Sequence, residues 1–304
     1  MNKLFYTVLT VLSISVSAQE ISKNKIEKTL TTLASDEMKG RLIGTEENNN
    51  AANYIAQQFK EAGLDFCTGE SYLVPFEYKG SVVYNVCGVK KGKSEKTLGI
   101  SAHFDHIGTT EDHVFNGADD NASGTTAVIE IASNFKNKTP EFSLLFMGFN
   151  GEEKGMLGSK ALANNPAMEN HYKNFVALFN LEMLATKSQF GENALYITGD
   201  DVSNMDELVN SHAANGLKVY PDPYVGQNLF YRSDNVSFAK KKLIAHSFST
   251  VDMRTAKHYH QITDTKDVVN FDNLTTIINN LSQTIEKLTP LNFSPKYNEN
   301  MKFK

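Results

Sequence analysis

A three-layer α/β/α sandwich around a mixed, mostly parallel sheet is the fold that this sequence predicts, and three features predict it. Apolar runs of strand length alternate with helical patterns through the middle of the chain. Two of those runs, Phe142 to Phe149 and Phe175 to Leu181, are nearly continuous, as strands buried on both faces require. Acidic and imidazole side chains follow several of these runs, and the carboxyl ends of strands are where open α/β sheets bind ligands.

The elements follow in order. Ser22 to Leu33 reads as a short helix. Thr45 is placed to cap a second, with Glu46 and Glu47 in its first turn, Ala52, Ile55, Phe59 and Ala62 at helical spacing, and Gly63 as its stop. Tyr72 to Phe76 and Val82 to Val89 alternate or run apolar, as strands do, and Leu98 to Ala102 is a strand that ends at His103. Gly124 to Phe135 is helical, with Val128, Ile131 and Phe135 on one face. Ala194 to Thr198 reads as a strand, Val202 to Ala214 as a helix and Leu243 to Phe248 as a late strand. Leu274, Ile277, Ile278, Leu281, Ile285 and Leu288 make the clearest amphipathic helix. The tail from Thr289 holds two prolines and many polar residues and is expected on the surface.

Composition narrows the function. The chain has 304 residues, 40% of them apolar, enough for one large core, and residues 19–304 are expected to form a single domain. The formal net charge is −5 and the longest basic run is Lys240-Lys241-Lys242, so nucleic acid is not an expected partner. Residues 1–18 read as a secretory signal: Lys3 is followed by an apolar stretch from Leu4 to Val16 and by small residues through Ala18. That stretch is too short for a membrane span, and no cysteine follows the cleavage point to carry a lipid anchor. The chain is therefore expected to be exported, to the periplasm or the medium. Cys67 and Cys87 are the only cysteines, and either one disulfide or two free thiols is compatible with the sequence.

Five clusters carry candidate chemistry. In His103-Phe104-Asp105-His106, an extended backbone puts His103 and Asp105 on one face, and a metal-bound imidazole commonly donates its other N–H to a carboxylate. The segment Gly117-Ala118-Asp119-Asp120-Asn121-Ala122-Ser123-Gly124 sets paired acids among small residues just before a helix. Gly151-Glu152-Glu153-Lys154-Gly155 follows a buried strand, so its two glutamates can face different partners. Glu182 ends an apolar strand, where a charge needs a partner or a metal. His258 and His260 share a parity, so spacing does not choose between them. Each cluster alone is a weak signal, and His106 has no independent case.

Taken together, their order and spacing resemble peptidase family M28, the zinc exopeptidases whose best-known members are secreted bacterial aminopeptidases. Gly40-Arg41-Leu42 with Gly44, Arg232-Ser233-Asp234, and Tyr259-His260 with Asp264-Thr265 extend the resemblance over about residues 30 to 285. It implies the zinc-dependent exopeptidase fold, peptide substrates and two zinc ions per chain. His103 and Glu182 would complete one zinc site, Glu153 and His260 the other, and Asp120 would bridge them. Asp105 would orient His103, Glu152 would be the general base, and Tyr259 could hydrogen-bond the oxyanion of the tetrahedral intermediate. A cis peptide is implied at Asp120–Asn121. One position departs from the pattern: many relatives carry Asp where Glu182 stands. Three other functions compete with the aminopeptidase. They are a single-zinc glutaminyl cyclase of the same fold, a carboxypeptidase or dipeptidase with the same centre, and a non-catalytic binding domain, which the full set of ligands and Glu152 disfavours.

Overall fold

The computed structural model describes residues 20–299 and Phe303, so the secretory signal expected over residues 1–18 lies outside the described residues. Eleven strands are present: β1 (Asp65–Phe66), β2 (Leu73–Tyr78), β3 (Ser81–Lys90), β4 (Thr97–His103), β5 (Gly108–Thr109), β6 (Val114–Phe115), β7 (Ser143–Phe149), β8 (Phe175–Leu181), β9 (Ala194–Ile197), β10 (Lys218–Tyr220) and β11 (Ala245–Ser249). Nine form one mixed sheet in the order β1-β3-β7-β4-β8-β11-β9-β10, with β2 also paired to β3, while β5 and β6 make a separate small ribbon. The middle of the sheet, β7-β4-β8-β11, is parallel, with Ala102 opposite Gly148 and Ser101 opposite Asn180. Its flanks turn antiparallel, at β3 against β7 and at β9 against β11. Every residue of β4 is buried, as the continuous apolar pattern requires of a strand covered on both faces.

Helices cover both faces. On one lie α1 (Lys23–Leu33), α2 (Glu46–Glu61), α3 (Gly124–Asn134), α6 (Met205–His212) and α8 (Phe271–Lys287). On the other lie α4 (Leu157–Ala163), α5 (Glu169–Lys173) and α7 (Asn235–Ala239). The Thr45 hydroxyl accepts from the Asn48 amide and so caps α2, and α8 buries Leu274, Ile277, Ile278, Leu281 and Ile285 along one stripe. The short helices α4, α5 and α7 carry too few turns for a periodic signal and were not legible in the sequence. No helix among the described residues is long and apolar enough to cross a membrane. Cys67 and Cys87 are joined as a disulfide. The tail departs from expectation: Phe293 is buried, packs on the rings of Phe142 and Phe179 and joins the same apolar core as α8.

One buried cation ties the N-terminal segment to the loops above the sheet. Arg41 has no solvent exposure, yet no carboxylate contacts it. Its guanidinium instead donates to four carbonyls: Phe104 at 2.6 Å, Leu33 at 2.5 Å, Asn116 at 2.7 Å and Gly117 at 3.0 Å. Burial lowers its pKa to about 10, opposed by the nearby Asp264, Asp105, Asp120 and Glu153, and it stays charged at neutral pH. Replacing Arg41 by Met takes the donor from the Phe104, Leu33 and Asn116 carbonyls and leaves Gly117 with the Ala122 amide alone. The expected cost is about 3–5 kcal/mol of stability, read as a lowered midpoint in urea denaturation; a loss under 1 kcal/mol would mean that water replaces the side chain.

A candidate metal centre at the carboxyl ends of the central strands

Four of the six functional side chains sit where a strand stops. His103 is the last residue of β4, Glu182 follows β8, and Glu152 and Glu153 form a single 3-10 turn after β7. Asp120 lies in the turn Ala118–Ser123 that leads into α3, and His260 lies in the long loop between β11 and α8. Two glycines make the Asp120 turn possible. Gly117 has φ +60, and a β-carbon there would lie 2.3 Å from the Asp120 carbonyl and 2.5 Å from the His106 ring. A β-carbon on Gly124 would lie 2.3 Å from the Leu181 carbonyl, so α3 could not start so close to β8 with any other residue. The peptide between Asp120 and Asn121 is cis, as the resemblance implied.

Two clusters result, and Asp120 belongs to both. In the first, His103 Nε2 lies 3.1 Å from Glu182 Oε1 and 3.3 Å from Asp120 Oδ1. In the second, His260 Nε2 lies 3.2 Å from Asp120 Oδ2 and 3.1 Å from Glu153 Oε2. Glu182 reaches its place despite the extra methylene, and its other oxygen accepts from the Ser233 hydroxyl at 2.6 Å. Asp105 contacts His103 by its main-chain carbonyl, 3.1 Å from Nδ1, more closely than by its carboxylate at 3.7 Å. The carboxylate instead accepts the amides of Glu152 at 3.0 Å and Glu153 at 3.3 Å, and so holds the turn that carries both glutamates. The carbonyl contact fixes Nδ1 of His103 as the protonated nitrogen of the neutral ring and turns the Nε2 lone pair toward the two carboxylates.

Four residues gain a role that the sequence did not disclose. His106 is fully buried; its Nδ1 meets Glu153 Oε1 at 2.9 Å, and with Asp120 and Glu153 it forms a second group whose ligand atoms all lie within 4.8 Å of one another. His258 turns away from the clusters and pairs with buried Asp119 at 2.8 Å. Asp119 also accepts the Ala185 amide, while Asp264 accepts the amides of Asp119 at 2.8 Å and Asp120 at 3.0 Å. His258 and His260 share a parity but diverge because His260 takes φ +55, which breaks the extended geometry that parity assumes. The only advance sign of these roles was the density of Asp and His in three short segments.

The electrostatics suit a cation. Burial opposes charge on His103, but Glu182, Asp105 and Asp120 hold its pKa well above the usual imidazole value. Burial would raise Asp120, but His103, His260 and His106 hold it well below the ordinary carboxylate range. Glu152 is different: burial pushes its carboxyl well above the ordinary value, His103 only partly offsets this, and Asp234 and Glu182 add to it. The donors are imidazole nitrogens and carboxylate oxygens alone, converging from buried and half-buried positions, and such a set fits zinc. Beside the clusters a cavity of about 80 Å³ is lined by Glu152, Tyr196, Leu229, Val251, Met253 and Tyr259 among others.

With the geometry established, comparison with known proteins places the chain. Residues 85–285 match the model of peptidase family M28, and the chain belongs to that family. It is 27% identical over 208 residues to the alkaline phosphatase isozyme conversion protein of Escherichia coli, a match covering 62% of this chain and 60% of that protein. It is 31% identical over 123 residues to aminopeptidase YwaD of Bacillus subtilis, covering 40% of this chain and 26% of that protein. The matched regions thus span less than two thirds of either relative. Among solved structures, a glutaminyl cyclase of Bacteroides thetaiotaomicron superposes with a TM-score of 0.70 at 17% identity, covering 90% of this chain and all of that one, and so shares its fold.

His106 supplies a test of the second cluster. Leu at this position removes the N–H that fixes Glu153, while Asn keeps a donor near the Nδ1 position. Zinc competition titration is expected to show about 10–100-fold weaker binding of one zinc equivalent in His106→Leu and near-normal binding in His106→Asn. Equal loss in both would assign His106 to packing alone.

Proposed function

We propose that this chain is an exported zinc-dependent aminopeptidase that removes N-terminal residues from peptides with water activated between two metal ions. One observation carries the reading: the two oxygens of Asp120 face two separate clusters, His103 with Glu182 and His260 with Glu153, at 3.3 Å and 3.2 Å from the two imidazoles. A carboxylate so placed could serve two ions at once. Family membership and the signal pattern at residues 1–18 support peptide hydrolysis outside the cytoplasm.

His103 and Glu182 would hold one ion, Glu153 and His260 the other, and Asp120 both. Bound there, zinc polarises the scissile carbonyl and lowers the pKa of the attacking water. Glu152 stands in the same cavity as His103 and Asp120 with its carboxyl poised high by burial, which suits a group that takes a proton from water and passes it to the leaving amine. Tyr259 lies across that cavity. Burial, with Asp120 and Glu153, raises its pKa far above neutrality, so it keeps its proton and can donate a hydrogen bond to the developing oxyanion. Asp105 steadies the Glu152–Glu153 turn.

The likeness in fold to a glutaminyl cyclase keeps one second reading in play, a cyclase of N-terminal Gln with a single zinc. Zinc counting with activity on one signal-free sample separates the two. About two ions per chain with cleavage of peptides bearing free N-termini supports the aminopeptidase; one ion with pyroglutamate formation supports the cyclase; no zinc and no turnover defeats both. Glu152→Gln should lower kcat by about 10²–10⁴-fold with metal content unchanged. Retention of substantial activity would remove Glu152 as the base.

A further inference from the structure

One guanidinium lines the cavity beside the clusters. Asp120, Glu152 and Glu182 make its inner wall acidic, and Arg232 lies in its lining as the one Lys or Arg among the described residues there. The Arg232 side chain is exposed, and its guanidinium has no hydrogen-bond or ion-pair partner among the described residues. The other two arginines of the chain both find partners: Arg254 pairs with Asp252, and Arg41 donates to four carbonyls. The main chain around Arg232 is nonetheless fixed. Its amide bonds to the Leu229 carbonyl, its neighbour Ser233 donates to Glu182, and Asp234 beyond is fully buried. Arg232 and Tyr259 line the same cavity, and the arginine's charge acts on the phenol in favour of its ionised form.

A planar fork of N–H donors held at the mouth of an acidic site, without an internal partner, is suited to a carboxylate delivered by the ligand. We infer that Arg232 receives a carboxylate of the substrate, and so makes the site prefer peptides with a negative charge close to the scissile bond. The inference rests on the peptidase reading and names the substrate class within it. Two sources supply the same chemistry: the C-terminal carboxylate of a dipeptide, or an acidic side chain on one of the first two residues. A cationic N-terminal side chain would be repelled from the same place.

The test uses zinc-loaded protein and peptide pairs that differ only in carboxylate against carboxamide. Ala-Ala against Ala-Ala-amide reports a C-terminal source. Glu-Ala-amide against Gln-Ala-amide, and Ala-Asp-Ala-amide against Ala-Asn-Ala-amide, report a side-chain source. The expected result is that at least one pair favours the carboxylate by about tenfold in kcat/KM, that Arg232→Met brings that ratio close to one, and that Arg232→Lys keeps part of it. The ratio is the readout, so a general loss of activity in a variant does not imitate the effect. A wild-type ratio near one for every pair, or a ratio unchanged in Arg232→Met, overturns the inference while leaving the aminopeptidase intact. If no pair is cleaved at all, the peptidase reading fails, and calorimetry of the same pairs on the zinc-loaded protein still decides whether Arg232 selects carboxylates.

Discussion

Carboxylates crowd the carboxyl edge of this sheet, and the surrounding structure is organised to let them coexist. Asp105, Asp119, Asp120, Asp234 and Asp264 are all buried there, with Glu152, Glu153 and Glu182 beside them. Like charges at such separations raise one another's pKa and cannot all ionise in a dry site unless cations or hydrogen-bond donors offset them. The fold provides both. Asp105 is satisfied by the Glu152 and Glu153 amides, Asp264 by those of Asp119 and Asp120, and Asp119 by the Ala185 amide and His258. Asp234 is pushed up to about 7 by burial, which His103 and the Ser159 hydroxyl offset only in part, and it need not carry a full charge. The carboxylates left facing one another are those of the two clusters, opposed by imidazoles, where a divalent cation fits.

The supporting bonds link loops that are far apart in sequence. Arg41, from the N-terminal segment, gathers the carbonyls behind His103–Asp105 and at the start of the Asp120 turn. Asn121 bonds to the Leu181 carbonyl and the Met183 amide, so the Asp120 turn is locked to the residue pair flanking Glu182. Asp264 brings the His260 loop against the same turn. Ligand geometry is thus set by backbone contacts rather than by the flexible side chains alone, which is how a site is held ready for its metal and substrate. The parallel centre of the sheet supplies the common starting plane, since neighbouring strands end side by side.

The two faces of the sheet serve different ends. The larger core, under α1, α2, α3, α6 and α8, fixes the helix that follows the Asp120 turn. The smaller one, under α4 and α7, carries the disulfide and the Phe149–Phe238 and Phe175–Phe238 ring contacts. Ser159 of α4 and Ser237 of α7 share a hydrogen bond of 2.8 Å beneath Asp234, joining that face to the floor of the site. A core of this kind tolerates wide sequence change when volume and pattern are kept, which accounts for a shared fold with a cyclase at 17% identity.

By itself the sequence determined the elements with strong periodicity and the positions where chemistry could stand. The long helices α2, α3 and α8 and the core strands β4, β7 and β8 follow from hydrophobic spacing, which is a local property, and every named ligand candidate except His260 lies at the end of such a strand or in a small-residue turn. Resemblance in motif order supplied the family and the choice of His260. What only the tertiary structure decided is which lone pairs meet. The pairing of His258 with Asp119, the burial of His106 against Glu153, the use of the Asp105 carboxylate by two amides, the joining of Cys67 to Cys87 and the docking of Phe293 depend on contacts between distant segments or on single positive φ angles. Neither leaves a periodic mark in the chain, because the energy that selects them arises only once the sheet has brought the loops together.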